Sequence, residues 1–262
     1  MLLVGGHGGE RQHALPPHGE LIMYGWRAVI GVIDLATSAT ILHEYYQVVP
    51  PGVVPISSRL VLPGGAATEA ALVAMTESTA LEDAAEQLAW ARPGIIAFAC
   101  TTGSLIKGPG WDKVLRDRME GRTGIPATTT STAVLAAFEA LGVRRLGIAT
   151  PYIDELNRRE RDFFEALGYE VRAIRGLGIR EDREIGAQPP ETAYRLAREV
   201  DGAGVDCLFV SCTNFPTLPV IARLEADTGK PVVTSNQATI WHTLRRAGIG
   251  EPLSGFGRLL ER

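Results

Sequence analysis

Short apolar runs alternate along this chain with longer stretches whose apolar residues recur every three or four positions. The runs "AVIGVID" (28–34), "IIAFAC" (95–100), "RLGIAT" (145–150), "CLFVSC" (207–212) and "PVVTS" (231–235) are rich in apolar or β-branched residues and bounded by turn formers. That is the pattern of strands buried on both faces. Between them the spacing predicts helices. Over 79–91, Leu81, Ala85 and Leu88 share one face, and Thr79 with Glu82 spells a capping box. Over 132–141, Leu135, Phe138 and Leu141 form the stripe and Gly142 is the stop signal. Over 153–167, Ile153, Leu156, Glu160, Phe163 and Leu167 fall at helical spacing, with Glu160 interrupting the apolar face and Gly168 ending the helix. This alternation predicts an α/β fold with parallel sheets and helices on both sides.

The alternation runs twice, so two lobes are expected. The first would hold residues 23–125 and, folding back on it, 236–262. The second would hold 126–235, with "GIPATTTSTA" (124–133) as the crossing. Residues 1–22 read as a flexible leader, and its His7, His13 and His18 as a solvated tail rather than a metal site.

Composition narrows the function classes. The chain has 262 residues, 45% of them hydrophobic, enough for a substantial core. Net charge is −4 and no basic run stands out, which argues against nucleic acid or an anionic membrane as partner. No apolar run reaches the roughly 18 residues that a spanning helix needs. The start of the chain is a poor signal peptide, so the three cysteines are expected as free thiols in a reducing compartment, the cytoplasm.

Those cysteines carry the candidate chemistry. Free cysteine often behaves as a small buried hydrophobe. That account suffices for Cys207, which on one strand would face away from Cys212. Cys100 and Cys212 differ, because each ends an apolar run and is succeeded by small or polar residues, "TTGS" and "TNFP". Ligands of parallel α/β sheets bind at the carboxyl ends of strands. A thiol there, near the first turn of the next helix, is expected to have a lowered pKa, and the N–H and hydroxyl groups after it can hold a carboxylate or oxyanion. Other chemistries lack their parts. His43 and His242, outside the leader, sit in no recognisable catalytic context. There is no zinc spacing and no phosphate-binding glycine motif. What remains is two thiols facing each other across a small substrate, one removing a proton or attacking carbon while the other delivers a proton.

The ordered set "YGWRAVIGVI", "CTTGS", "GIPATTTSTAVLAAFEALGVRRLGIATPYIDELN", "GLGIREDREIG", "FVSCTNF" and "PVVTSNQATIWHTLRRAG" resembles the aspartate/glutamate racemase superfamily. Within it, the resemblance is to the branch of maleate cis-trans isomerases and arylmalonate decarboxylases. It implies two flavodoxin-like lobes related by a pseudo-twofold, with a site between them that uses no cofactor and no metal. It implies Cys100 as nucleophile and Cys212 as acid/base. The decarboxylases of this branch carry glycine at the first cysteine position, so the presence of Cys100 favours an isomerase or racemase. The resemblance also implies a small carboxylate substrate bound by Thr101, Thr102, Tyr152, Thr213 and Asn214, in a homo-oligomer. Ser38 and Asp182 fall where the isomerases carry substrate-binding asparagines. An acidic Asp182 there would repel a carboxylate, or would need a cationic neighbour such as Arg180 or Arg183. The alternatives are an amino-acid or carbon-acid racemase, an arylmalonate-type decarboxylase, and a non-catalytic two-lobe binding protein.

Overall fold

The computed structural model describes residues 24–262, so the leader and its three histidines lie outside the described residues. The first half runs β1 (Ala28–Leu35), α1 (Ile41–Val48), β2 (Val53–Leu60), α2 (Glu69–Glu77), α3 (Ala80–Ala89), β3 (Ile95–Phe98), α4 (Thr101–Leu105), α5 (Trp111–Thr123), β4 (Ala127–Thr129) and α6 (Thr130–Leu141). The second runs β5 (Arg145–Thr150), α7 (Asp154–Ala166), β6 (Glu170–Gly176), α8 (Asp182–Gly186), α9 (Pro190–Glu199), β7 (Cys207–Val210), α10 (Ile221–Thr228), β8 (Val232–Thr234) and α11 (Ser235–Arg246).

Two four-stranded sheets result, ordered β2-β1-β3-β4 and β6-β5-β7-β8, and every pairing is parallel. The second order repeats the first, as the two-lobed α/β expectation requires. In each sheet the chain reverses direction of travel between the first and third strands of its half, the switch point where α/β sheets open a crevice. The central strands β3 and β7 are buried throughout. Helices cover the sheets and exclude water from both faces of these central strands. Phe138 of α6, Phe164 of α7 and Phe209 of β7 pack with ring centroids 5.5 to 5.6 Å apart, and Cys207 is buried in this cluster as core.

The structure adds three strands that the apolar runs do not announce. Edge strand β2 mixes buried with partly or fully exposed residues and β6 buries only Val171, so neither carries a continuous apolar run. The other, β4, is only "ATT". It pairs with β3, so the first sheet's last strand lies inside the range read as the second lobe. Helix α11 packs against α6 and touches β3 and α1 of the first half. Tyr45 of α1 shares a 2.9 Å hydrogen bond with Thr243 of α11.

The capping box over 79–82 does not form. Thr79 has helical backbone angles and its side chain caps nothing. Glu82 instead accepts two hydrogen bonds from Arg118 of α5, at 2.6 and 2.7 Å. A charged pair between neighbouring helices displaces the local contact. Gly142 does end α6 with a left-handed φ of 68°.

Candidate active site

The two strand-end cysteines occupy equivalent places. Cys100 lies just past β3 and Cys212 just past β7, each separated from its strand by a single residue. The segments after them differ. Cys100 leads into the single-turn helix α4. After Cys212 comes a turn, not a helix, and Cys212 itself has a φ of +95°. A residue with a Cβ is strained there, a cost that folded proteins carry mainly at functional sites.

Cys100, Thr101, Thr102, Tyr152, Asp182, Cys212 and Thr213 line one cavity of about 10 Å³, room for about one water. Leu35, Leu62, Ala67 and Leu72 form its apolar wall. Seven of the residues singled out in the sequence therefore meet, although they come from both halves of the chain. Ser38 and Asn214 do not line the cavity. Ser38 is buried beside it with its hydroxyl unpartnered. Its carbonyl accepts a 2.8 Å hydrogen bond from Arg59.

The segment between β2 and α2 roofs the cavity by reaching across to the second half. The N–H of Ala67 donates to the carbonyl of Arg180 at 2.7 Å, and Ala66 bridges Glu181. Arg159 of α7 pairs with Glu69 of α2 at 2.5 Å. Leu62 and Ala67 of this segment, with Leu72 of α2, line the cavity beneath these contacts.

Hydrogen bonds from opposite halves fix the two thiol turns on each other. Thr101 Oγ1 donates to Ser235 Oγ at 2.8 Å, and the same oxygen accepts the N–H of Cys212 at 3.1 Å. Thr213 Oγ1 donates to the carbonyl of Ala99 at 2.9 Å. Asn214 donates its N–H to Cys212 Sγ at 3.3 Å. Its side chain accepts from Ala39 N–H and Thr40 Oγ1 in the loop after β1. Ser235 and Thr37 are partners of the cleft residues that the sequence does not reveal. Ser235 belongs to "TSNQ", where Thr234 forms a capping box with Gln237 and masks any other reading. Thr37 stands beside Ser38 and donates to Asp182 Oδ2 at 2.5 Å.

Asp182 is buried, whereas Arg180 and Arg183 in the same "REDRE" run are exposed. The expected cationic neighbour is replaced by neutral donors. Oδ2 accepts from Thr37 and from Asn214 Nδ2, the latter at 2.9 Å. Burial raises the carboxyl's pKa, and these two donors draw it back.

The thiols are not the activated thiolates that a helix N-terminus would give. Burial pushes Cys100 up to about 12. Burial pushes Cys212 higher still, and the nearby carboxylate of Asp182 raises both further. The Gly103 N–H and the Thr102 hydroxyl favour the Cys100 thiolate, and the Tyr152 hydroxyl and Asn214 N–H favour that of Cys212. Desolvation outweighs them in the closed cleft. Tyr152 is itself buried against Cys212, and its phenol is held firmly neutral.

Two buried thiols that line one cavity, at matching strand ends of a duplicated parallel α/β fold, mark a cysteine-lined enzyme cleft. Comparison with known proteins makes this particular. The arylmalonate decarboxylase family matches residues 48–260, and the chain belongs to that family. It is 32% identical over 235 residues to the arylmalonate decarboxylase of Bordetella bronchiseptica, covering 82% of this chain and 95% of that one. It is 29% identical over 199 residues to the maleate isomerase of Nocardia farcinica, covering 74% and 77%. Among solved structures, a cysteine-to-alanine variant of the maleate isomerase from Pseudomonas putida S16 with maleate superposes with a TM-score of 0.82. That match has 25% identity and covers 89% of this chain and 97% of that one.

Proposed function

We propose that this protein is an isomerase of a small carboxylate that works through Cys100 and Cys212 in the manner of the maleate isomerases. The observation that carries the reading is that both thiols line one cavity from equivalent strand ends. A decarboxylase of the arylmalonate type needs the second thiol alone.

Cys100 is the nucleophile. Its proton passes to an oxygen of the substrate carboxylate, to return to sulfur when the C–S bond later breaks, while the sulfur adds to one carbon of the double bond conjugated with that carboxylate and the π electron pair moves toward the other carbon. The Cys212 thiol gives that carbon a proton. The bond between the two carbons, now single, rotates. Cys212 takes the proton back, the C–S bond breaks with its electron pair returning to sulfur, and the double bond re-forms in the other geometry. Atoms and electrons balance, and no external reductant or oxidant is needed. The hydroxyls of Thr102 and Tyr152 hold and orient the carboxylate with neutral donors, while Thr101 and Thr213, whose hydroxyls donate to Ser235 and to the Ala99 carbonyl, brace the two thiol turns.

The experiment is proton NMR in D2O on small unsaturated and α-substituted carboxylates, maleate included, with wild type, Cys100→Ala and Cys212→Ala. Wild type converts at least one member, and each variant loses roughly 100-fold or more. Undiminished conversion by Cys100→Ala sinks the mechanism and returns the site to a one-thiol decarboxylase or a racemase.

A further inference from the structure

The cavity's polar lining is of two kinds. The hydroxyls of Thr102 and Tyr152 are donors, which suit a carboxylate. The other kind is the carboxyl of Asp182. Its Oδ2 is occupied by Thr37 and Asn214, whereas among the described residues its Oδ1 takes no hydrogen bond. Oδ1 is also absent from the sealed, partnerless oxygens such as those of Glu160, so it keeps surface, and the cavity is where Asp182 has it. Both partners of Oδ2 are donors, which favours the carboxylate and offsets part of the upward push that burial gives its pKa. Among the described residues, no lysine, arginine or histidine lines the cavity to balance this charge.

A dianion such as maleate would therefore place its second carboxylate beside Asp182 with no counter-ion, a juxtaposition that binding sites use to reject wrong partners. A ligand with a hydrogen-bond donor beside Asp182 would instead satisfy Oδ1. We infer that Asp182 selects a small monocarboxylate whose second polar group is an N–H donor, an ammonium above all. The carboxylate lies on the Thr102 and Tyr152 hydroxyls and the ammonium on Asp182 Oδ1. Leu35, Leu62, Ala67 and Leu72 leave room only for a small apolar side group.

The inference rests on the two-thiol cleft being the reaction site, and its test separates the two. Calorimetry of the full chain with L-2-aminobutyrate, butyrate and maleate reads the ammonium directly. Wild type binds aminobutyrate about tenfold or more tighter than butyrate, and maleate more weakly than aminobutyrate. Asp182→Asn, which keeps an acceptor for Thr37 and Asn214, loses the ammonium preference and gains about tenfold for maleate. Where that variant fails to fold, the wild-type comparison of aminobutyrate with butyrate decides. Equal wild-type affinities for those two, tighter maleate binding by wild type, or an unchanged preference in a folded Asp182→Asn overturns the inference. Rapid thiol-dependent conversion of maleate by wild type also overturns it, while leaving the two-cysteine mechanism standing.

Discussion

The side-chain amide of Asn214 donates to Asp182 twice, to its main-chain carbonyl at 2.8 Å and to its Oδ2 at 2.9 Å. Through the same side chain Asn214 also accepts from Ala39 and Thr40. One amide thus clasps the loop after β1, the start of α8 and the turn that carries Cys212. Gly186 is what lets it fit, since a Cβ there would stand 2.8 Å from Asn214 Oδ1. Asn214 is pinned by several partners and has nowhere to retreat. Gly186→Ala is expected to fold but to lose about 10- to 100-fold in kcat/KM through misplacement of Asp182 and Cys212. Steady-state kinetics beside a circular dichroism spectrum checks this.

Gly103 plays the corresponding part for the first thiol. A Cβ on it would lie 2.9 Å from Cys100 Sγ and 3.1 Å from the ring of Phe98. Phe98 is core and cannot yield, so the thiol must move. Gly103→Ala is expected to lower kcat by about 10-fold or more with a smaller change in KM. A variant with wild-type kcat would show that the Cys100 position has slack.

Ser235 Oγ is the shared acceptor for Thr101 and for the N–H of Cys212. Ser235→Ala leaves both buried donors without it, and the expected loss of stability is about 1–3 kcal/mol. Urea unfolding with an unchanged m value measures it. Activity falls in the same variant because both thiol turns lose a common anchor.

The thiols are expected to be slow toward alkylation. With Cys100 pushed up to about 12 and Cys212 higher, little of either is thiolate near neutrality. Without substrate, iodoacetamide at about pH 7.5 should label each at least about tenfold more slowly than a free cysteine peptide. The rate should climb as pH rises toward those values. Fast labelling at neutral pH would mean that the roof formed by residues 61–72 opens freely in solution.

Glu160 gives a pH signature to stability. It is fully buried on α7, neither carboxyl oxygen has a hydrogen-bond partner, and burial pushes it up to about 8 from 4.5. Its folded-state value stands above its unfolded one, so the folded chain holds the proton more tightly. The contribution to stability is full below about 4.5 and is lost as pH rises through about 8. Glu44, raised to about 7, and Asp34, raised to about 6, act in the same direction. The melting temperature should therefore fall between pH 5 and pH 9 in roughly that window. Glu160→Gln, neutral at every pH, should flatten the fall and melt higher than wild type at about pH 9. A parallel decline in both proteins would assign the effect to other groups.

The sequence by itself determined the parts of this protein that depend on local order. Apolar runs of fixed length made the central strands β1, β3, β5 and β7, because a strand buried on both faces needs no polar positions. Turn formers after two of those runs set Cys100 and Cys212 at strand ends. Tertiary structure alone decided the rest, for reasons of distance. The edge strands β2 and β6 depend on a neighbour's exposure, and β4 is too short to signal itself. The Thr79–Glu82 cap gives way because Arg118, 36 positions on, competes for Glu82. Asp182 sits in a run that resembles a solvated charged loop, and only Thr37, 145 positions earlier, and Asn214 enclose it. The protonation of the thiols obeys the same rule: their position at strand ends is local, whereas the burial that keeps them neutral is made by residues from both halves of the chain.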